Sequence, residues 1–180
     1  TNLDGSERQV VLAGTGYEQD YNTVLIASRD WKHVAVASVR NKEGKEAIQY
    51  IRTSDDKITV ADEGDATFTL TGWYGDKLVY IVNRNVENEA EKYKLKSYNT
   101  ETGKITLLDK TNYKDNGYNC DKYCGQDITN DTITAATLID GGVVYVYQST
   151  GKSLSISKVY RIQVSGEGKK ELFAISDRYI

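Results

Sequence analysis
The chain has one histidine, two cysteines and no methionine among its 180 residues. A lone histidine, His33, gives no strong footing for a histidine-centred triad, and two thiols without a nearby histidine cannot close a zinc site. Charged residues make up 27% of the chain but nearly cancel to a net -3, with no long block of one sign. Without a basic stripe there is no electrostatic footprint for nucleic acid. The most apolar run, residues 133–147, is broken by Asp140 and two glycines, whereas a membrane-spanning helix needs roughly 20 apolar residues. No transmembrane segment is expected. The start at Thr1 and the absence of Met point to a processed product or an excised piece of a longer chain.

What is present is a repeat. Residues 68–73, 77–84, 93–98 and 104–109 read as four short strands rich in Val, Ile, Leu and Tyr, bounded by turns bearing Gly, Asp and Asn. The same pattern fits upstream at 23–28, 33–38, 47–52 and 57–61, and downstream with turns at Asp140-Gly141-Gly142, 149–153 and 166–168. The expectation is an all-β fold of tandem four-stranded antiparallel modules over residues 23–62, 66–111 and 132–176. Residues 1–16 contain one more apolar run, 8–13, which reads as the terminal strand of a preceding module. The acidic stretch 85–92 is too short and polar to bury a helical face and reads as a solvated hairpin loop.

A period of about 40 to 50 residues with four strands each is the pattern of propeller blades. Here the residues carry a family resemblance as well. Ser28-Arg29-Asp30-Trp31-Lys32-His33-Val34-Ala35-Val36 resembles the W-S-P-D-G-K-x-I-A-F segment at the first hairpin of blades in TolB-like and dipeptidyl-peptidase-type β-propellers, and Trp73-Tyr74-Gly75-Asp76-Lys77-Leu78-Val79-Tyr80 resembles a shortened copy. Arg29 stands where that family has Pro, and Trp31 where it has Gly. The third module keeps only Asp140-Gly141-Gly142. The resemblance implies an architecture, with Asp setting turn geometry and apolar alternation lining the blade interfaces; it implies no chemistry.

One four-stranded sheet cannot bury both of its faces, so blades stack and share a core. Three stacked blades should bury Val34, Val36, Val79, Ile81, Val144 and Val146, and leave two raw faces. A closed propeller takes about four to eight blades. The expectation is therefore a partial, three-blade β-propeller that belongs to a longer chain or self-associates through its end blades; the alternative is a β-sandwich of two sheets.

Candidate chemistry is sparse. Gly151-Lys152-Ser153 ends like a phosphate loop, yet Val146 holds the place of the required leading glycine, so a hairpin turn is expected. Gly14-Thr15-Gly16 lacks its third glycine, Gln19 standing there. Asp30 and Asp76 occupy turn positions, where a carboxylate that accepts from its own backbone is the ordinary role. His33 reads as an exposed strand-end residue. No catalytic residue, metal or cofactor is nominated, and the chain is read as non-enzymatic.

The one departure from the repeat is the insertion at residues 110–131, rich in Tyr, Asn and Asp. Long loops on a rigid scaffold are where binding surfaces are usually carried. Cys120 and Cys124 lie in it. An extended segment would hold them about 13 Å apart, and a disulfide needs roughly 4.4 to 6.8 Å between Cα atoms, so pairing requires the loop to fold back. A disulfide between them is the leading reading, with free thiols second. Asp115, Asn119 and Asp121 alternate as in a calcium loop but lack its Gly and distal Glu. A disulfide and the sequon Asn130-Asp131-Thr132 both point to an extracytoplasmic location: secreted, periplasmic or cell surface.

Two functions follow. One is a non-catalytic module that binds a protein or glycan through turn and insertion aromatics, Trp31, Trp73, Tyr74, Tyr118 and Tyr123, which offer large amphipathic surfaces. The other, implied by the resemblance, is the propeller portion of a larger dipeptidyl-peptidase-type enzyme whose catalytic domain lies elsewhere.

Overall fold
The computed structural model describes residues 6, 9–20, 23–84, 91–111, 128–151 and 154–179, with backbone alone at 19, 20, 128–130, 151, 154 and 177–179. The chain divides into two compact units, Thr1–Gly64 and Asp65–Ile180. Among the described residues the regular structure is twelve strands and a single 3-10 turn at Tyr17–Asp20.

The first unit holds one antiparallel meander in the order β1-β2-β3-β4, built from β1 (Val24–Ala27), β2 (His33–Val39), β3 (Glu46–Arg52) and β4 (Lys57–Gly64). Ala35, Ala37, Ile48 and Tyr50 are buried on one face, and Val36 on the other. Val34 is half-buried rather than buried, because it pairs with Ile51 near the end of the β2–β3 ladder. Where a further strand is expected at residues 8–13, residues 9–13 form none. This arm is held by polar contacts instead. Gln9 donates to Asp56 at 2.8 Å, and Arg40 pairs with Glu18 at 2.9 Å and donates to the Ala13 carbonyl.

The second unit holds two meanders. One runs β5 (Ala66–Tyr74), β6 (Lys77–Arg84), β7 (Tyr93–Asn99), β8 (Ile105–Lys110); the other runs β9 (Ile128–Ile139), β10 (Gly142–Gly151), β11 (Leu154–Gln163), β12 (Glu171–Tyr179). All ladders are antiparallel. Each of the three sheets carries an irregularity at the same place, between its third and fourth strands: at Ile48/Gln49, Leu95/Lys96 and Val159/Tyr160. An extra residue on one strand bends it and increases the local twist. The modules therefore repeat in register detail as well as in strand count.

The two sheets of the second unit share a core of Val79, Ile81, Leu95, Leu108, Ile133, Val143, Tyr145, Ile162 and Val164. Fully burying one such aliphatic side chain is worth about 1.5–3 kcal/mol, so this core is what joins the two sheets. Val36, Val79 and Ile81 are buried as the pattern requires, at 4% exposure or less. On β10 the faces are the reverse of the expectation: Val143 and Tyr145 point into the core, while Val144 and Val146 are half-buried on the other side. The reason is that Val143-Val144-Tyr145-Val146-Tyr147 is apolar at every position, so alternation alone does not choose the inward set.

Close approach of the sheets depends on a missing side chain. A Cβ at Gly72 on β5 would stand 2.8 Å from Cδ1 of Leu138 on β9. The turn Asp140-Gly141, with φ of 44° and 73°, closes the β9–β10 hairpin through the pair Gly142 and Ile139. Two consecutive positive φ values in a two-residue loop match the right-handed twist of the flanking strands.

Candidate functional site
Of the expected contact aromatics, Trp31 and Tyr74 fall at the first hairpin turns of the first two sheets. In the first unit, residues 28–32 connect β1 to β2. Ser28 N–H donates to the His33 carbonyl at 2.8 Å, and Trp31 N–H to the Ser28 carbonyl at 2.9 Å. The Asp30 carboxylate accepts from the Ser28 hydroxyl at 2.8 Å and from Lys32 N–H at 3.2 Å. Those bonds, the Ser28 one first, hold its pKa at about 2. Asp30 is thus the self-satisfying turn residue its position implies. Trp31 has a φ of 59° and is 70% exposed. A bulky side chain in the left-handed region is a genuine outlier, costing roughly 1–2 kcal/mol. The conformation is the one that the glycine of the resembling motif would adopt freely, and it is pinned from β3's end: Thr53 donates its hydroxyl to the Trp31 carbonyl at 2.7 Å and its N–H to the Lys32 carbonyl at 2.9 Å.

In the second unit Trp73 is half-buried on β5 and Tyr74 is exposed at its end. Gly75, with a φ of 53°, begins the two-residue turn between Tyr74 and Lys77. The Tyr74 ring lies against the next sheet's hairpin, where a Cβ on Gly141 would come within 2.9 Å of its hydroxyl. The carbonyl of Asp76 accepts from both N–H and Oγ of Thr100. His33 is not exposed, as its strand-end place suggested; it is buried, edge-on to Tyr50 at 5.6 Å. Tyr118, Tyr123, Cys120, Cys124, Asp115, Asn119 and Asp121 lie outside the described residues. Asn130 of the sequon sits in β9, paired with Thr150.

A second constellation, absent from the sequence reading, lies between the two sheets of the second unit. Tyr145 and Tyr147 on β10 and Tyr160 on β11 share one face. Tyr160 is 5.8 Å from Tyr145 and 6.3 Å from Tyr147, the latter pair edge-on. The Tyr145 hydroxyl donates to Asp109 of β8, and the Tyr147 hydroxyl donates to Asp131 of β9 at 3.1 Å. The Lys170 ammonium stands 3.0 Å and 3.4 Å from the two Asp109 carboxylate oxygens. It also lies 4.6 Å from the Tyr160 ring centre and 5.6 Å from that of Tyr147. The result is an aromatic box with a carboxylate floor and a cation inside it.

The electrostatics follow from burial and neighbours. Burial, then the bond to Asp109, pushes the Tyr145 phenol well above its ordinary range. Burial and the Asp109 charge raise Tyr160. Burial and the Lys170 charge lower the Lys158 ammonium. Tyr145 and Tyr160 are therefore held neutral. Chemically the box can hold an ammonium. Among the described residues no three His, Cys, Asp or Glu side chains group as metal ligands. No helix of the described residues is long and apolar enough to cross a membrane. The sequence signal for the box was Tyr145-x-Tyr147 at strand period, which places both rings on one face.

No family model matches the sequence, and no curated protein matches it. Solved structures do match by fold. One from a study of two prolyl endopeptidases aligns with a TM-score of 0.54 at 11% identity, covering 97% of this chain and 29% of that one. TolB from Acinetobacter baumannii aligns at 0.51 and 16% identity, covering 95% of this chain and 36% of that one. The architecture is that of β-propeller blades. A putative conserved lipoprotein from Clostridium novyi NT aligns at 0.50 and 16% identity, covering 79% of this chain and 86% of that one. The chain thus spans about a third of the length of the first two. The likeness is one of fold, agreeing with the TolB-like resemblance of the turn motifs and with three four-stranded sheets in place of a two-sheet sandwich.

Proposed function
We propose that this chain is a non-catalytic stretch of β-propeller, residues 23–62, 66–111 and 132–176 being its blades, which acts outside the cytoplasm by binding a protein or glycan through exposed aromatics of its first-hairpin turns. The observation that carries this reading is Trp31. The indole is exposed and its backbone left-handed, the Trp31 N–H donating to the Ser28 carbonyl and the Trp31 carbonyl accepting from the Thr53 hydroxyl, so the fold bears strain while the ring buries little. Strain that persists at an exposed residue supports a role in contact with something else. Tyr74 is the second proposed contact, with Trp73, Tyr118 and Tyr123 as further members of the set. An extracytoplasmic setting is supported by the lipoprotein among the structural neighbours, and would suit a bond between Cys120 and Cys124.

The test is a glycan array and a panel of extracellular proteins probed with the wild-type chain and with Trp31→Ala. Ligands that lose at least tenfold in affinity for the variant, at unchanged melting temperature, support the reading. Ligands bound equally by both would contradict it.

A second reading is the propeller portion of a larger serine-peptidase-like enzyme. It is favoured by the prolyl endopeptidase alignment, which covers nearly all of this chain and under a third of that one. A G-x-S-x-G nucleophile elbow in the parent gene would decide for it.

A further inference from the structure
The walls of the tyrosine box and the lysine inside it come from different kinds of structure. Asp109 is fixed on β8 and Tyr147 and Tyr160 on the central strands β10 and β11. Tyr145, 1% exposed, locks the carboxylate from behind by donating to it. Lys170 comes from the exposed connection between β11 and β12, and its side chain is 41% exposed. That connection is anchored at Gly166, where a Cβ would meet Thr106 at 2.7 Å, but is open at Gly168, which has a φ of 82° and nothing within 4 Å of a Cβ position. Segments with few buried contacts open at little cost. The carboxylate and ring faces thus stand on strands, and Lys170 on the connection that leads into β12.

We propose that Asp109, Tyr147 and Tyr160 form an ammonium-binding site which Lys170 occupies in the resting protein, and that a lysine side chain of a partner protein takes its place. A primary ammonium is the right occupant on chemical grounds. It is compact, presents three donors to the carboxylate oxygens, and is attracted by ring faces within about 6 Å. A guanidinium would need a coplanar bidentate approach to Asp109, whereas the resident ammonium reaches both carboxylate oxygens while Tyr145 keeps its own bond. The resident lysine makes the site self-inhibited: an incoming lysine gains only the difference between its own fit and that of Lys170. The proposal does not depend on Trp31 and stands or falls separately from the turn-aromatic reading.

The experiment titrates wild type, Lys170→Ala and Lys170→Gln with a capped Gly-Lys-Gly peptide and with its norleucine counterpart, following the tyrosine ring resonances. Both variants should bind the lysine peptide at least tenfold more tightly than wild type, ignore the norleucine peptide, and lose the gain when Asp109→Asn is added. Equal binding by wild type and variants, or no saturable binding by either variant, would overturn the proposal. So would a failure of both variants to fold, because the box would then need its own lysine for stability.

Discussion
The interface between the two sheets of the second unit has two halves built on the same strands. Around Val79, Leu95, Val143 and Ile162 it is a dry aliphatic core. Two residues further along β10 and β11 it becomes tyrosine, carboxylate and lysine: Tyr145, Tyr147, Tyr160, Asp109 and Lys170. The β10–β11 ladder runs through both without a register shift, whereas the ladders on either side of it shift beside the tyrosines, at Val146/Tyr147 and Val159/Tyr160. The difference lies in what each half returns for its burial. Aliphatic area converts directly into stability, whereas a polar pair first loses its hydration and recovers it through the bonds it makes. A repeated fold can therefore vary the chemistry of one half of an interface while the other supplies most of the apolar burial.

The largest effect should come from the dry half. Leu95→Ala removes a fully buried side chain and should cost about 2–5 kcal/mol, read from denaturant unfolding. A loss under 1 kcal/mol would mean the sheets are joined elsewhere. Tyr145→Phe deletes one charge-assisted donor and should cost about 1.5–3 kcal/mol near neutral pH. Its pH signature is as telling as its size. The folded state raises the Tyr145 and Tyr160 phenols above their unfolded value of about 10. Stability from that shift is complete below about pH 10 and is lost as pH rises above it toward the folded values. Wild type should therefore weaken between pH 9 and 11 more steeply than Tyr145→Phe, in which Tyr160 alone remains shifted; parallel profiles would remove Tyr145 from the account.

The smallest effect carries the contrast into the first unit, at the left-handed, exposed Trp31. Trp31→Gly relieves the left-handed strain and gives back part of it as unfolded-chain entropy. A gain of about 0.5–1 kcal/mol is expected. A loss of that size would show that the indole contributes to the fold after all.

Strand positions were legible because the runs are rich in Val, Ile and Tyr and the turns between them carry Gly, Asp and Asn. β6 was read at its observed bounds of Lys77–Arg84, and the Asp140-Gly141 turn was read from two residues. Three things were not legible, each for a physical reason. The inward face of β10 was hidden because Val144 and Val146 are as apolar as the Val143 that displaces them from the core. The arm at residues 9–13 has strand composition, but a short run without a partner ladder cannot satisfy its backbone as a strand. The tyrosine box was invisible because Asp109 and Lys170 are 61 residues apart and each, alone, is an ordinary strand-end charge. His33 looked exposed because the sequence puts it beside Lys32; in the structure the Ser28 hydroxyl accepts from its N–H and Tyr50 meets its ring.

The central claim is that the Asp109–Lys170 pair is not what holds the two sheets together. The most direct measurement is a double-mutant cycle of Asp109→Asn and Lys170→Gln by guanidinium unfolding at pH 7. The account predicts a coupling of about 1 kcal/mol or less, as for a pair whose lysine is substantially exposed. A coupling above about 3 kcal/mol, the scale of a buried structural pair, would contradict it and make the box part of the scaffold.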